Sequence, residues 1–98
     1  MINTYEDLGP FVKLTVGNDH VKVELLFMDG NTITYDYLQY RDINGMKSSM
    51  VCDLFYFMGV AGIDNANVRR LIHEKLLDVF RENDIRLSQC FNKFHNRA

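Results

Sequence analysis

The sequence predicts an α+β fold: a three-stranded antiparallel meander followed by two or three helices packed on one face. Three observations predict it. Apolar and polar residues alternate from Phe11 to Tyr40, turn-forming residues interrupt that alternation twice, and beyond Asn44-Gly45 the apolar period lengthens to between three and four residues. The 98 residues fit one domain, organised as an N-terminal tail (1–10), a β-meander (11–41) and a helical part (46–94).

In the meander, Val12, Leu14 and Val16 alternate with Lys13 and Thr15. After Gly17-Asn18-Asp19 the same period resumes at Val21, Val23, Leu25 and Phe27. Pairing Val16 with Val21 sets Leu14 beside Val23 and Val12 beside Leu25, all apolar and all on one face, whereas a slip of one residue would turn them to solvent. Asp29-Gly30-Asn31 marks a second turn before Ile33, Tyr35 and Tyr37. A two-residue Asp-Gly loop would pair Leu26 with Ile33 and mix the faces. A three-residue loop pairs Phe27 with Ile33, Leu25 with Tyr35 and Val23 with Tyr37, and is predicted here with Gly30 or Asn31 at positive φ.

Ser48 or Ser49 is the predicted N-cap of a helix carrying Met50, Val51, Leu54, Phe55, Phe57 and Met58. The same residues would suit a buried strand, so periodicity leaves the type of 50–58 open. Gly59-Val60-Ala61-Gly62 resembles the G-x-x-G loop by which KH domains clamp a nucleic-acid backbone. It carries no basic residue inside the motif, and a meander followed by helices is a different order from that fold, so it is read as a helix stop with Gly59 at the C-cap. Asp64 or Asn65 caps the next helix, whose Val68, Leu71, Ile72, Leu76, Val79 and Phe80 keep helical spacing up to Asn83-Asp84. Leu87, Cys90, Phe91 and Phe94 predict a short third helix within 85–94.

Hydrophobic residues make up 47% of the chain and charged ones 24%, the balance of an ordinary globular protein. The formal charge of -2 supplies no global positive field for nucleic acid or anionic lipid. The distribution is uneven: residues 1–65 hold four basic and nine acidic side chains, and 66–98 hold seven basic and four acidic. The apolar run from Leu54 to Ile63 is about half of the roughly 20 residues a membrane helix needs. The first fifteen residues contain Glu6, Asp7 and Pro10 and no secretory or transit pattern. With Cys52 and Cys90 far apart and outside any C-x-x-C pair, reduced, half-buried thiols in the cytoplasm are expected.

No stretch carries a catalytic or cofactor signature, and no catalytic residue, cofactor or metal ligand is assigned. The expected register places Lys13, Glu24 and Asp36 in one outward row, where two carboxylates could serve acid-base chemistry or a divalent metal. On an open sheet face they read instead as solvated charges beside a lysine. His20, His73 and His95 lack zinc-ligand spacing. His73 reads as a surface histidine, and Ser48 and Ser49 as caps, since no G-x-S-x-G elbow surrounds them. A Cys-His nucleophile is disfavoured because each thiol lies in an apolar run.

Met50 to Met58 is the most informative segment: eight of its nine residues are apolar and only Asp53 interrupts. A helix apolar all round needs cover all round, and a small meander has little to give it. The expected function is therefore a non-enzymatic protein-interaction module. It would self-associate as a homodimer, or bind and regulate or inhibit a larger protein, through Phe55, Tyr56 and Met58. Phe11, Leu26 and Met28 at one end of the outward sheet face, and Leu38 and Tyr40 at the other, extend that surface. Three alternatives are an acidic decoy for a nucleic-acid-handling protein, direct nucleic-acid binding, and a small enzyme using Glu24/Asp36 or a thiol. The decoy would use Glu24, Asp36, Asp29 and Asp42 with Glu6, Asp7 and Asp19; direct binding would use Arg69, Arg70, Lys93 and Arg97, although Glu74, Asp78 and Glu82 share that surface.

Overall fold

A computed structural model describes residues 11–96 of the chain. The expected tail over 1–10, with Glu6 and Asp7, and the basic Arg97 lie outside the described residues. The alternation seen in the sequence becomes three strands, β1 (Val12–Val16), β2 (His20–Leu25) and β3 (Asn31–Asp36), in one antiparallel sheet of order β1-β2-β3. Beyond it lie one turn of 3-10 helix (Tyr37–Gln39) and three helices, α1 (Ile43–Val60), α2 (Ala66–Glu82) and α3 (Asp84–His95). The architecture is the expected α+β meander followed by helices.

The first hairpin has the predicted register, Val16 opposite Val21, Leu14 opposite Val23 and Val12 opposite Leu25. The Gly17 N–H closes its turn on the His20 carbonyl at 2.8 Å. The second register differs from the expected one by four residues along β3: Val21 faces Tyr35, Val23 faces Ile33 and Leu25 faces Asn31. The connection spans residues 26–30 instead of three residues. It is built from two successive turns, in which the Met28 N–H donates to the Leu25 carbonyl and the Asn31 N–H to the Met28 carbonyl. Gly30 supplies the left-handed φ of 70°. A shift of four, being even, preserves parity, so the apolar residues keep the core face although their partners change. Tyr37, expected in the strand, leaves the sheet and starts the 3-10 turn. Its fully buried ring packs edge-on against Phe91.

Segment 50–58 is helical, and α1 starts earlier than Ser48 or Ser49 would place it. The Asp42 carboxylate is the cap, accepting the Gly45 N–H at 2.7 Å. Asn44-Gly45, a turn signal in the sequence, occupies the first helical turn. Amides there have no intrahelical acceptor, so helix propensity weighs little. The far end is a Schellman stop: the Ile63 N–H donates to the Met58 carbonyl at 3.0 Å and the Gly62 N–H to the Gly59 carbonyl at 3.1 Å. The left-handed residue is thus Gly62, with φ 75°, and Gly59 is still helical.

The Asn65 side chain caps α2 by accepting the Asn67 and Val68 N–H groups at 2.9 and 3.2 Å. At the other end Asn83 donates its side-chain amide to the Val79 carbonyl at 2.8 Å, and α3 begins at the next residue. Within the sandwich of sheet and helices, α2 lies against β1, α1 against α2, and α3 against the 3-10 turn. The core they enclose includes Val21, Tyr37, Met46, Met58, Ile72 and Leu87, none of which retains measurable exposure.

Candidate interaction surface

An α-helix presents rows of residues four apart, and the rows of α1 have different fates. Met46, Met50, Leu54 and Met58 form one row, at most 2% exposed. Ser49, Asp53 and Phe57 form a half-buried flank on which Asp53 accepts the Tyr35 hydroxyl at 2.7 Å, fastening α1 to β3. Lys47, Val51 and Phe55 line the flank toward α2, where the Phe55 ring lies edge-on to His73 at 5.2 Å. The fourth row, Asn44, Ser48, Cys52, Tyr56 and Val60, is exposed along its whole length. It carries no charge, and Tyr56 and Val60 are 66% and 59% exposed.

Beside that row runs an apolar groove of about 450 Å³ between α1 and α2, lined by Ser48, Val51 and Cys52 on one side and Leu77 and Phe80 on the other. Lys47 closes one end, with its ammonium 5.7 Å from the centre of the Phe80 ring and 3.1 Å from the Asp84 carboxylate. Exposed Ile85 follows Asp84 in sequence. Four of the exposed large apolar residues, Phe55, Tyr56, Val60 and Leu77, therefore belong to one face of the α1/α2 pair. Three of them lie on neighbouring rows of α1 and the fourth on the α2 wall of the groove, which sets them apart from exposed apolar residues scattered singly.

The residues singled out from the sequence divide. Phe55, Tyr56, Leu26 and Leu38 are exposed; Met28 and Tyr40 are half-buried. Met58 and Phe11 are corrections, because both are fully enclosed. Met58 falls on the inward row of α1. Phe11 extends the β1–β2 ladder by accepting the Leu26 N–H at 2.8 Å, and it joins the core together with Val12, so alternation breaks at the strand end. Leu26 and Leu38 stand on the 26–30 connection and the 3-10 turn, separate elements from the α1/α2 face.

The expected carboxylate row does not form. With the observed register Glu24 lies opposite Lys13 and Thr32, and Asp36 lies opposite His20. Asp36 is exposed and meets the Gln39 amide at 3.5 Å, Asp29 is exposed, Asp42 is engaged as the α1 cap, and Asp19 lies 2.6 Å from the His20 ring. Among the basic candidates, Arg69 donates to the Ile63 carbonyl, Arg70 is exposed, and Lys93 borders a small depression with Asn18, Cys90 and Phe94. Both cysteines are free thiols; Cys90 is half-buried as expected, whereas Cys52 is exposed because it falls on the outward row. His73, expected on the polar side, is half-buried against Phe55.

Two tyrosines are electrostatically perturbed, both as structural groups. Burial, reinforced by the Asp53 carboxylate, raises Tyr35 well above the ordinary phenol range. Burial, reinforced by Cys90, pushes Tyr37 up to about 12. Among the described residues no cluster of three or more His, Cys, Asp or Glu side chains is placed to hold a metal ion, and no helix is long and apolar enough to cross a membrane. Comparison with protein-family models, with curated proteins and with solved structures finds no match to this chain.

Sequence reasoning missed the groove and its α2 wall. The signal was present in two places: the row of every fourth residue from Asn44 to Val60 lacks any charge, and Leu77 and Phe80 widen the apolar stripe of α2 beyond what one sheet face covers.

Proposed function

We propose that this chain is a small, non-enzymatic protein-interaction module whose contact surface is the outward face of α1 together with the α1/α2 groove. One observation carries the reading: Phe55, Tyr56, Val60 and Leu77 remain exposed on one face, around a groove walled by Val51 and Phe80. An uncharged aromatic and aliphatic centre with a polar rim, here Asn44, Lys47 and Asp84, has the composition of a protein interface.

The test replaces Tyr56 with p-benzoylphenylalanine and irradiates cells expressing the protein, with the same replacement at Leu38, an apolar side chain exposed on a separate element, as comparison. A discrete polypeptide adduct is expected from position 56 alone, and it should disappear when Leu77→Asp is added. Equal adducts from both positions, or none from 56, would refute the assignment of this face.

A further inference from the structure

The outward row of α1 has a pattern that selects its occupant. Ser48 and Tyr56 lie four residues either side of Cys52, each about 6 Å from it along the helix axis. Ser48 borders the groove, and Tyr56 projects 66% exposed. One helix thus offers a hole and a knob at equal distances from a central small residue. This is the relation a twofold axis requires, because an isologous contact places the same patch against itself. We propose, resting on the interaction reading above, that the face is covered by a second copy of this chain, with α1 antiparallel to its counterpart about an axis at Cys52. Each Tyr56 then enters the other copy's groove beside Ser48.

Charge supports the same occupant. The only charged residues of α1 are Lys47 and Asp53. Asp53 is bound by the Tyr35 hydroxyl and Lys47 by Asp84, so neither is aimed outward from the row. In the antiparallel arrangement Lys47 lies opposite position 57, about 15 Å along the axis from its symmetry mate, and no like charges meet. A strongly acidic or basic partner would find nothing on the row to pair with. Val60 meets Asn44 in the same way, a large residue against a smaller one.

Size is sufficient as well. The 18 residues of α1 span about 27 Å, and α1 and α2 side by side are about 20 Å wide, so two copies meeting over the whole α1/α2 face cover roughly 1,100 Å² in total. That clears the roughly 1,000 Å² expected of a specific interface, near the lower end of the range. The groove, at about 450 Å³, is an open surface depression with more than the volume of one aromatic side chain.

Sedimentation equilibrium of the full chain, from about 1 μM to about 1 mM, reads the result directly. The mass should rise from 11.5 kDa toward twice that value. Y56D, which removes the knob, and S48F, which fills the hole, should each weaken association about tenfold or more, while L38D leaves it unchanged. A short bis-maleimide should join the Cys52 thiols of the two copies; C52S should abolish that product without lowering the mass, and C90S should do neither. A mass constant at 11.5 kDa would overturn the second copy. If the position-56 probe then labels a different polypeptide, the interaction reading stands alone, and if it labels nothing both fall. A dimer insensitive to Y56D and S48F would overturn the knob-and-hole geometry.

Discussion

The bond between Tyr35 and Asp53 joins the sheet to the most apolar helix, and its contribution can be isolated with four proteins. Tyr35 is 3% exposed, and its hydroxyl donates to the half-buried Asp53 carboxylate at 2.7 Å. A hydrogen bond to a charged acceptor contributes about 1.5–3 kcal/mol, and partial solvent access to Asp53 brings the expected figure to about 1–2 kcal/mol. Tyr35→Phe should lose that amount. Asp53→Leu should cost about 1–3 kcal/mol, because it strands the buried hydroxyl without an acceptor. The double variant replaces both partners with apolar groups and should cost clearly less than the sum of the two, a coupling of about 1 kcal/mol. Urea titrations at pH 7 of the wild type and three variants measure this, provided the m-values agree. Additivity within about 0.5 kcal/mol would show that packing alone holds α1 on β3 and that the bond is incidental.

The two glycines at the end of α1 should respond with opposite signs: Gly62→Ala, forced to φ 75° with open space around it, loses about 1 kcal/mol, whereas Gly59→Ala gains about 0.5–1 kcal/mol as a helical residue whose new Cβ meets only the Arg69 guanidinium at 3.9 Å. Thermal melts of both variants check it, and equal effects would refute the Schellman stop. Adjacent rows of α1 should separate in the same assay. Leu54→Ala, at a position 2% exposed, costs about 2–5 kcal/mol, while Tyr56→Ser at 66% exposure stays within about 0.5 kcal/mol when measured at concentrations too low for the proposed association. Alkaline pH should also destabilise the fold. Tyr37 has its pKa raised from 10.0 to about 12, so its contribution is whole below pH 10 and is lost as pH rises toward 12. Urea midpoints at pH 8, 10 and 11 should fall over the last interval, and Tyr37→Phe should reduce that fall without abolishing it, because burial and Asp53 raise Tyr35 further and it acts over the same interval.

What the sequence made legible follows from which physical signals are local. Strand faces depend on parity, which an apolar alternation states directly, and so the inward set from Val12 to Tyr35 is readable from the order of residues alone. The pairing of β2 with β3 depends on the turn. There, two consecutive hydrogen-bonded turns over residues 26–30 compete with the three-residue loop, and both choices keep the same faces inward. Parity cannot separate registers that differ by an even number of residues, here four, and the expected Glu24/Asp36 pair was a product of the wrong one. Helix ends were ambiguous for a related reason. Asp42 and Ser48 are both capping residues, as Gly59 and Gly62 are both stop residues, and only the completed hydrogen bonds distinguish them. The candidate surface was half legible. Excess apolar content in Met50–Met58 was plain, but assigning Met58 inward and Tyr56 outward required knowing which side of α1 meets the sheet.

That side is settled by dimensions. Three strands about 4.8 Å apart give a sheet roughly 14 Å wide, whereas each helix with its side chains is about 10 Å across. One sheet face therefore covers little more than one helix fully, and this chain has three to place. The α2 helix lies along β1, and α3 closes over Tyr37, leaving α1 with cover on its sheet side and its α2 flank only. A helix in that position has one row that no part of the described fold can reach. Solvent would be expected to select charged or polar residues there, as it does on α2 at Arg70, Glu74 and Arg81. The row in α1 is polar only at Asn44 and Ser48, carries no charge, and continues with Cys52, Tyr56 and Val60, while nearby Phe55 and Leu77 stay partly bare. Burying these side chains against another apolar surface would release roughly 25 cal/mol for each Å² removed from water. Folding of the described chain leaves that free energy ungathered, and this is the physical ground of the proposed association.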